Sequence, residues 1–281
     1  MKGIAEMADQ QKRSNPPVRS KKKKRRKKRM RPAELILIVI FAGIFLFSAG
    51  QLLMIFLEYH QGSAEYGALA ETYVEYGKSG SEMEDQPGDF PEISVNFEAL
   101  EEVNGDFRAW LVIPALSVEY PVVQGEDTSY YLTHTFEGEE NSSGAIFMDE
   151  GASADFSDWN TFLYGHNMKN GSMFGKLKQF VRDEALCESN PYFYLFTKEG
   201  AYRYRIVSYY VTEDGSDTYV LPDSAEQAAQ YLERVRAKSP YRCEDALPEG
   251  APVVTLSTCY GAAGSTQRFV VHGVQDKKME Y

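Results

Sequence analysis

The sequence predicts a mainly β domain, a closed or nearly closed barrel of roughly eight short strands with few helices, preceded by one transmembrane helix. Three observations carry this expectation. Short runs rich in β-branched and aromatic residues recur between turn residues from about position 93 onward. Few segments in that region have helical content. A single uninterrupted apolar run, Leu35 to Leu57, precedes them.

The chain begins with a basic tail, residues 1–34. Fourteen Lys and Arg stand in the first 32 residues against Glu6 and Asp9, which leaves 16 basic and 39 acidic residues for the remainder, so the overall charge of −11 describes neither part. The apolar run 35–57 is broken only by Ser48 and Gln51. As a helix it is about 34 Å long at ~1.5 Å per residue, enough to cross a hydrocarbon core of ~30 Å. A cleaved signal peptide is the rival, but the run is longer than an ordinary signal core of roughly 7 to 15 residues and no Ala-x-Ala site closes it. The basic cluster on the amino side predicts a cytoplasmic amino terminus and an extracellular remainder. The cluster alone also fits a nucleic-acid patch, but its position against an apolar span favours topology and anionic lipid. Residues 58–92 turn from Ala, Glu and Tyr to an acidic, loop-forming stretch and read as a stalk or linking helix. The domain proper is 93–281.

Within it, Phe97 to Asn104 makes a helical turn or two, and Asp106 to Pro114 is a strand closed by proline. Further strands are expected at Val118–Gln124, Gly144–Met148, Asn160–Tyr164, Tyr192–Phe196 and Tyr202–Val211, with a turn into a short helix over Gln124 to Leu132. Ser224 to Lys238 has helical content, with Ser224 as its N-cap. Ala251 to Thr258 is a strand that ends at Cys259, and after Gly261 and Gly264 the pattern restarts at Phe269-Val270-Val271.

That last hairpin brings Cys259 and Arg268 to one end. A guanidinium near a thiol favours the nucleophilic thiolate, although a buried strand-end cysteine and a surface arginine fit the hairpin equally well. The other cysteines, Cys187 and Cys243, lack a basic neighbour in that setting. They fit either two buried free thiols or a disulfide, and nothing in their spacing favours the bridge. Of the four histidines, His60 follows the apolar run and His134 lies near a helix end. His272 sits about 14 Å along the strand from Arg268 at ~3.4 Å per residue. His166, in the Gly-His-Asn-Met loop after a strand, is the best partner for the thiol. No Cys-x-x-Cys, paired histidines or Gly-rich phosphate loop is present, so neither a metal nor another cofactor is expected, and no nucleic-acid module is evident.

Thr255-Leu256-Ser257-Thr258-Cys259, Arg268 nine residues on, and Asn160 to Met168 upstream together resemble a sortase, and the Thr-Leu-Ser-Thr-Cys and Tyr-Gly-His-Asn-Met forms resemble class B. The resemblance spans about Phe97 to Val274. It implies an eight-stranded barrel and a cysteine transpeptidase outside a Gram-positive-type membrane. Cys259 would attack a sorting signal of the LPxTG or NPxTN kind to form a thioacyl-enzyme. His166 would move protons, and Arg268 would hold substrate and the tetrahedral oxygen. A peptidoglycan-precursor or pilin amine would resolve the intermediate. Ser257, Thr258, Leu132, Thr128 and Asn167 would contribute to the substrate cleft. Thr128 stands where class B enzymes often have Asn, and Tyr260 where an acidic residue is common, which bears on amine preference. The resemblance also implies a long helix-bearing connection between the sixth and seventh strands, expected within Glu188–Lys238. The chain lacks an Asp-Pro-aromatic lid and a second apolar run, which favours wall anchoring over pilin polymerisation. A hydrolytic cysteine peptidase and a tethered binding module without catalysis are the remaining alternatives.

Overall fold

The computed structural model describes residues 31–77, 89–243, 245–262 and 264–281. Nearly all of the basic tail and the acidic part of the expected stalk, 78–88, lie outside the described residues. The chain divides into two compact units, Met1–Gln51 and Leu52–Tyr281. Helix α1 (Pro32–Tyr73) starts in the first unit and continues into the second. Over its apolar part the side chains are exposed, and its most apolar 18-residue window has a mean hydropathy of 2.5. By length and composition it is long and apolar enough to cross a membrane. A short two-stranded sheet follows, β1 (Val74–Tyr76) against β2 (Ile93–Val95). Helix α2 (Phe97–Val103) comes next, its first turn capped by Asn96.

The remaining strands are β3 (Phe107–Ile113), β4 (Val118–Val123), β5 (Ile146–Met148), β6 (Asn160–Tyr164), β7 (Tyr192–Thr197), β8 (Gly200–Glu213), β9 (Val253–Cys259) and β10 (Gln267–Glu280). They close into an eight-stranded barrel in the order β10-β8-β7-β3-β4-β5-β6-β9. Two neighbours run parallel, β4 with β5 and β6 with β9, and the rest antiparallel, so the sheet is mixed. β3 and β7 are buried almost throughout, which is why Phe-Arg-Ala-Trp-Leu-Val-Ile and Tyr-Phe-Tyr-Leu-Phe-Thr read as near-continuous apolar runs. The long strands β8 and β10 pair along nearly their whole length. β5, by contrast, is tied to β4 only through Val122–Ile146 and Val123–Phe147, and to β6 only through Phe147–Tyr164 and Met148–Leu163.

The expected eight-stranded barrel is therefore the fold. The helices outside it are short, α3 (Gln179–Arg182) and α4 (Glu184–Ser189), apart from α5 (Ala225–Lys238). α5 starts on the expected cap, the Ser224 hydroxyl accepting from the Gln227 N–H. The helix-bearing connection between the sixth and seventh barrel strands begins only after Glu213, because β7 and β8 occupy the first part of the stretch from which it was expected. The stretch before Leu132 forms a single 3-10 turn, Tyr130–Leu132.

Candidate active site

Six residues of β9 are buried and the seventh, Cys259, emerges exposed at the strand end. β10 runs antiparallel beside it with Arg268 directly opposite Cys259. Directly opposed residues project to the same face with Cβ atoms about 4.5–5.5 Å apart, so the thiol and the guanidinium share one wall. On the other side of β9, β6 runs parallel and pairs Tyr164 with Ser257. The ladder extends one residue further through the Gly165 N–H to the Ser257 carbonyl at 3.2 Å, and the chain then turns outward at His166. Glycine is required at that turn, since a Cβ on Gly165 would lie 2.4 Å from Ile146 Cδ1 and 2.8 Å from Phe174 Cδ2.

The His166 and Arg268 side chains are each held by neighbours. His166 Nε2 donates to the Leu132 carbonyl at 2.7 Å. A carbonyl only accepts, so this contact fixes the proton on Nε2 and leaves Nδ1 for proton exchange. Arg268 Nη1 donates to the carbonyls of Ser265 (3.0 Å) and Gln267 (3.1 Å), and Nη2 to Asp214 Oδ2 at 2.8 Å. The strand end is braced as well. Asn167 Nδ2 donates to the Cys259 carbonyl at 2.8 Å while its Oδ1 accepts from Lys178 Nζ at 2.7 Å, and the Thr258 hydroxyl donates to the Gly165 carbonyl at 2.7 Å.

Cys259, His166 and Arg268 line one cleft of about 230 Å³, together with Thr128, Leu132, Ser257 and Thr258. Thr128 is fixed by a reciprocal contact: its N–H donates to Glu150 Oε2 at 3.1 Å and its hydroxyl accepts from the Glu150 N–H at 3.4 Å. Two residues expected in the cleft lie elsewhere. Tyr260, just past the end of β9, turns its ring towards Phe269, 6.2 Å between centroids. Asn167 bonds the Cys259 carbonyl and does not line the cleft.

The sequence reading missed Asp214, Phe147 and Tyr164, which also line the cleft, and Tyr219, whose hydroxyl hydrogen-bonds Ser257 Oγ at 2.9 Å. Only Asp214 left a readable trace, an Asp-Gly turn ending a long strand. Tyr164 donates to Asp149 Oδ2 at 3.1 Å, and burial raises the Asp149 carboxyl above its usual range against that bond's opposing pull. Burial likewise raises the Tyr219 phenol, offset in part by the Ser257 bond and by Arg268.

The other histidines are occupied elsewhere. His272 is fully buried and hydrogen-bonds Thr255 Oγ1 (2.8 Å) and the Tyr210 hydroxyl (3.3 Å), and burial drives its pKa down to about 3. His134 stacks on Tyr130 at 4.1 Å and contacts that residue's carbonyl. All three cysteines are free, Cys187 and Cys243 being buried. Among the described residues no group of three His, Cys, Asp or Glu is arranged to hold a metal ion.

Comparison with known proteins agrees with this geometry. Residues 111–276 match the sortase domain family. Sortase B of Listeria monocytogenes is 28% identical over 226 residues, covering 79% of this chain and 88% of that protein. Among solved structures, sortase B of B. anthracis in complex with AAEK1 superposes with a TM-score of 0.64 at 30% identity, over 79% of this chain and 99% of that one. The Staphylococcus aureus sortase B–substrate complex gives 0.64 at 25% identity, over 80% and 99%. A closed mixed barrel with an exposed cysteine opposite an arginine, carried by a chain that matches these proteins over most of its folded length, belongs to the sortase family in its class B form, a family of cysteine transpeptidases.

Proposed function

We propose that Cys259 is the nucleophile, His166 the proton carrier and Arg268 the oxyanion and substrate-holding group of a transpeptidase acting on C-terminal sorting signals of the LPxTG or NPxTN kind. The observation that carries this reading is the direct opposition of Cys259 and Arg268 across β9 and β10, in a cleft that His166 also lines. Sγ of Cys259, its proton resident on His166, attacks the threonine carbonyl carbon of the signal. The resulting oxyanion faces the guanidinium, a fixed donor that gains strength as charge develops. Collapse breaks the peptide bond that follows the threonine, and the leaving amine takes the proton from His166 Nδ1. The thioacyl-enzyme is then attacked by an acceptor amine. That amine's proton passes to the now neutral His166, and Cys259 leaves as the thiolate.

Thr128, Leu132, Ser257 and Thr258 form the walls that hold the signal, with the apolar Leu132 side chain suited to its proline-containing part. Asn167 and Tyr260 influence the cleft from outside it. The acceptor is a peptidoglycan-precursor amine, and the surface protein is joined to the cell wall. The apolar helix anchors the enzyme with its basic tail in the cytoplasm and its catalytic domain outside.

The test is incubation of the full-length chain in detergent micelles with quenched LPxTG- and NPxTN-type peptides, with and without an amine acceptor. Cleavage with ligation is expected. Cleavage without ligation indicates a peptidase, and no cleavage indicates a tethered binding module. Preference for a pilin lysine over a peptidoglycan amine supports pilus assembly instead. Cys259→Ala removes the thioacyl adduct while preserving the fold; an adduct mapped to Cys187 or Cys243 overturns the assignment.

A further inference from the structure

We infer that Tyr66, on the part of α1 that follows the apolar run, is a positioning residue for His166; the kinetic part of this inference rests on the proposed role of His166 in proton transfer. Tyr66 is 5% exposed. Its hydroxyl donates to the Gly144 carbonyl at 2.6 Å and accepts from the Phe136 N–H at 3.2 Å. Burial pushes this phenol well above its ordinary value, so it remains a neutral donor.

Gly144 is the joint that transmits the contact. It sits in the left-handed region at φ +54°, and a Cβ there would lie 2.4 Å from the Tyr131 carbonyl oxygen, 3.0 Å from the Leu132 carbonyl oxygen and 3.2 Å from His166 Cδ2. The Gly144 backbone therefore abuts both the imidazole and the carbonyl that fixes its tautomer. The next residue closes the joint, the Ala145 N–H donating to the Tyr131 carbonyl at 2.9 Å. The loop from Thr133 to Gly144 is thus clamped at both ends. On one side Leu132 holds Nε2, and on the other Tyr66 holds Gly144.

Other contacts from the same helix support the loop farther from the imidazole. Asn141 Nδ2 donates to the Glu58 carbonyl at 3.1 Å, the Ser142 N–H to Glu58 Oε1 at 2.8 Å, and the Glu137 N–H to Glu65 Oε1 at 3.1 Å. These would hold the loop in place without the Tyr66 hydroxyl. Among the described residues of α1, Tyr66 is the one whose side chain hydrogen-bonds Gly144, the residue packed against the imidazole. Helix α1 after the apolar run is by this reading part of the catalytic apparatus rather than a spacer.

The test uses the full-length chain in detergent micelles with ¹⁵N-labelled histidine, so that the protonated nitrogen of His166 is read from its long-range ¹⁵N–¹H correlations. In the parent protein Nε2 carries the proton. Tyr66→Phe removes the donor to Gly144 while keeping the ring, and is expected to give tautomer exchange at His166 with kcat lowered roughly tenfold and KM little changed. Ser63→Ala, on the same helix, removes the 3.4 Å hydrogen bond donated by Asn170 and is expected to leave both unchanged. Should Tyr66→Phe not fold, Gly144→Ala perturbs the same joint directly and is expected to release the tautomer. A His166 tautomer still fixed in the folded Tyr66→Phe or Gly144→Ala protein overturns the positioning role, as does an equal loss from Ser63→Ala. Full turnover in His166→Gln instead overturns the catalytic reading of His166 and the kinetic part of this inference with it.

Discussion

His272 offers a prediction whose size follows from its surroundings. It is fully buried beneath α5, bonded to Thr255 and Tyr210, edge-on to Tyr231, and Lys238 adds a further positive charge nearby. Its folded pKa of about 3 lies far below the 6.5 of an exposed imidazole. Each unit of difference is worth about 1.4 kcal/mol, so keeping His272 neutral contributes on the order of 5 kcal/mol to stability. The folded protein binds this proton more weakly than the unfolded chain does. The contribution is therefore complete above about pH 6.5 and declines as pH falls towards 3. By pH 4.5 it has lost roughly 3 kcal/mol. His272→Gln keeps a hydrogen-bonding group beside Thr255 but cannot titrate. Urea unfolding followed by tryptophan fluorescence should show the parent protein losing about 3 kcal/mol more than this variant between pH 7 and pH 4.5. Equal losses in the two proteins would refute the assignment of a buried neutral imidazole at 272.

Two further expectations concern the cleft and the idle thiols. Arg268→Lys should lower kcat/KM roughly 10²-fold, because an ammonium cannot at once span the Ser265 and Gln267 carbonyls, Asp214 and a substrate oxygen; turnover within twofold of the parent would remove Arg268 from the site. Burial pushes the Cys187 thiol up to about 12, and Cys243 is also buried. Iodoacetamide at pH 8 should therefore modify Cys259 alone in the folded chain and all three cysteines after denaturation, as counted by mass spectrometry.

The barrel was legible because its strands are written as local patterns. Asn160–Tyr164 and Val118–Val123 appear almost residue for residue, and the strand rise alone separated His272 from the Cys259 end. The opposition of Cys259 and Arg268 followed from one short loop between two strands. What stayed hidden depends on distant backbone groups. The Leu132 carbonyl that holds His166 has no side-chain signature, since every residue carries a carbonyl. Asp214 meets Arg268 only after β8 and β10 have paired in register. The β1–β2 sheet escaped notice because each partner is three residues long and the two are far apart in sequence. Tyr260 was expected at the cleft from the family resemblance, yet its ring packs against Phe269, a contact that sequence spacing does not reveal.

The short strand β5 gives the barrel an uneven strength. Phe147 is one wall of the cleft, and its strand is laced to each neighbour by two rungs, while β8 and β10 are zipped together almost end to end. Opening free energy scales locally with the hydrogen bonds that must be broken. Around β5 the barrel is accordingly held more by the core packing of Ile146, Phe147 and Met148 than by its backbone ladder.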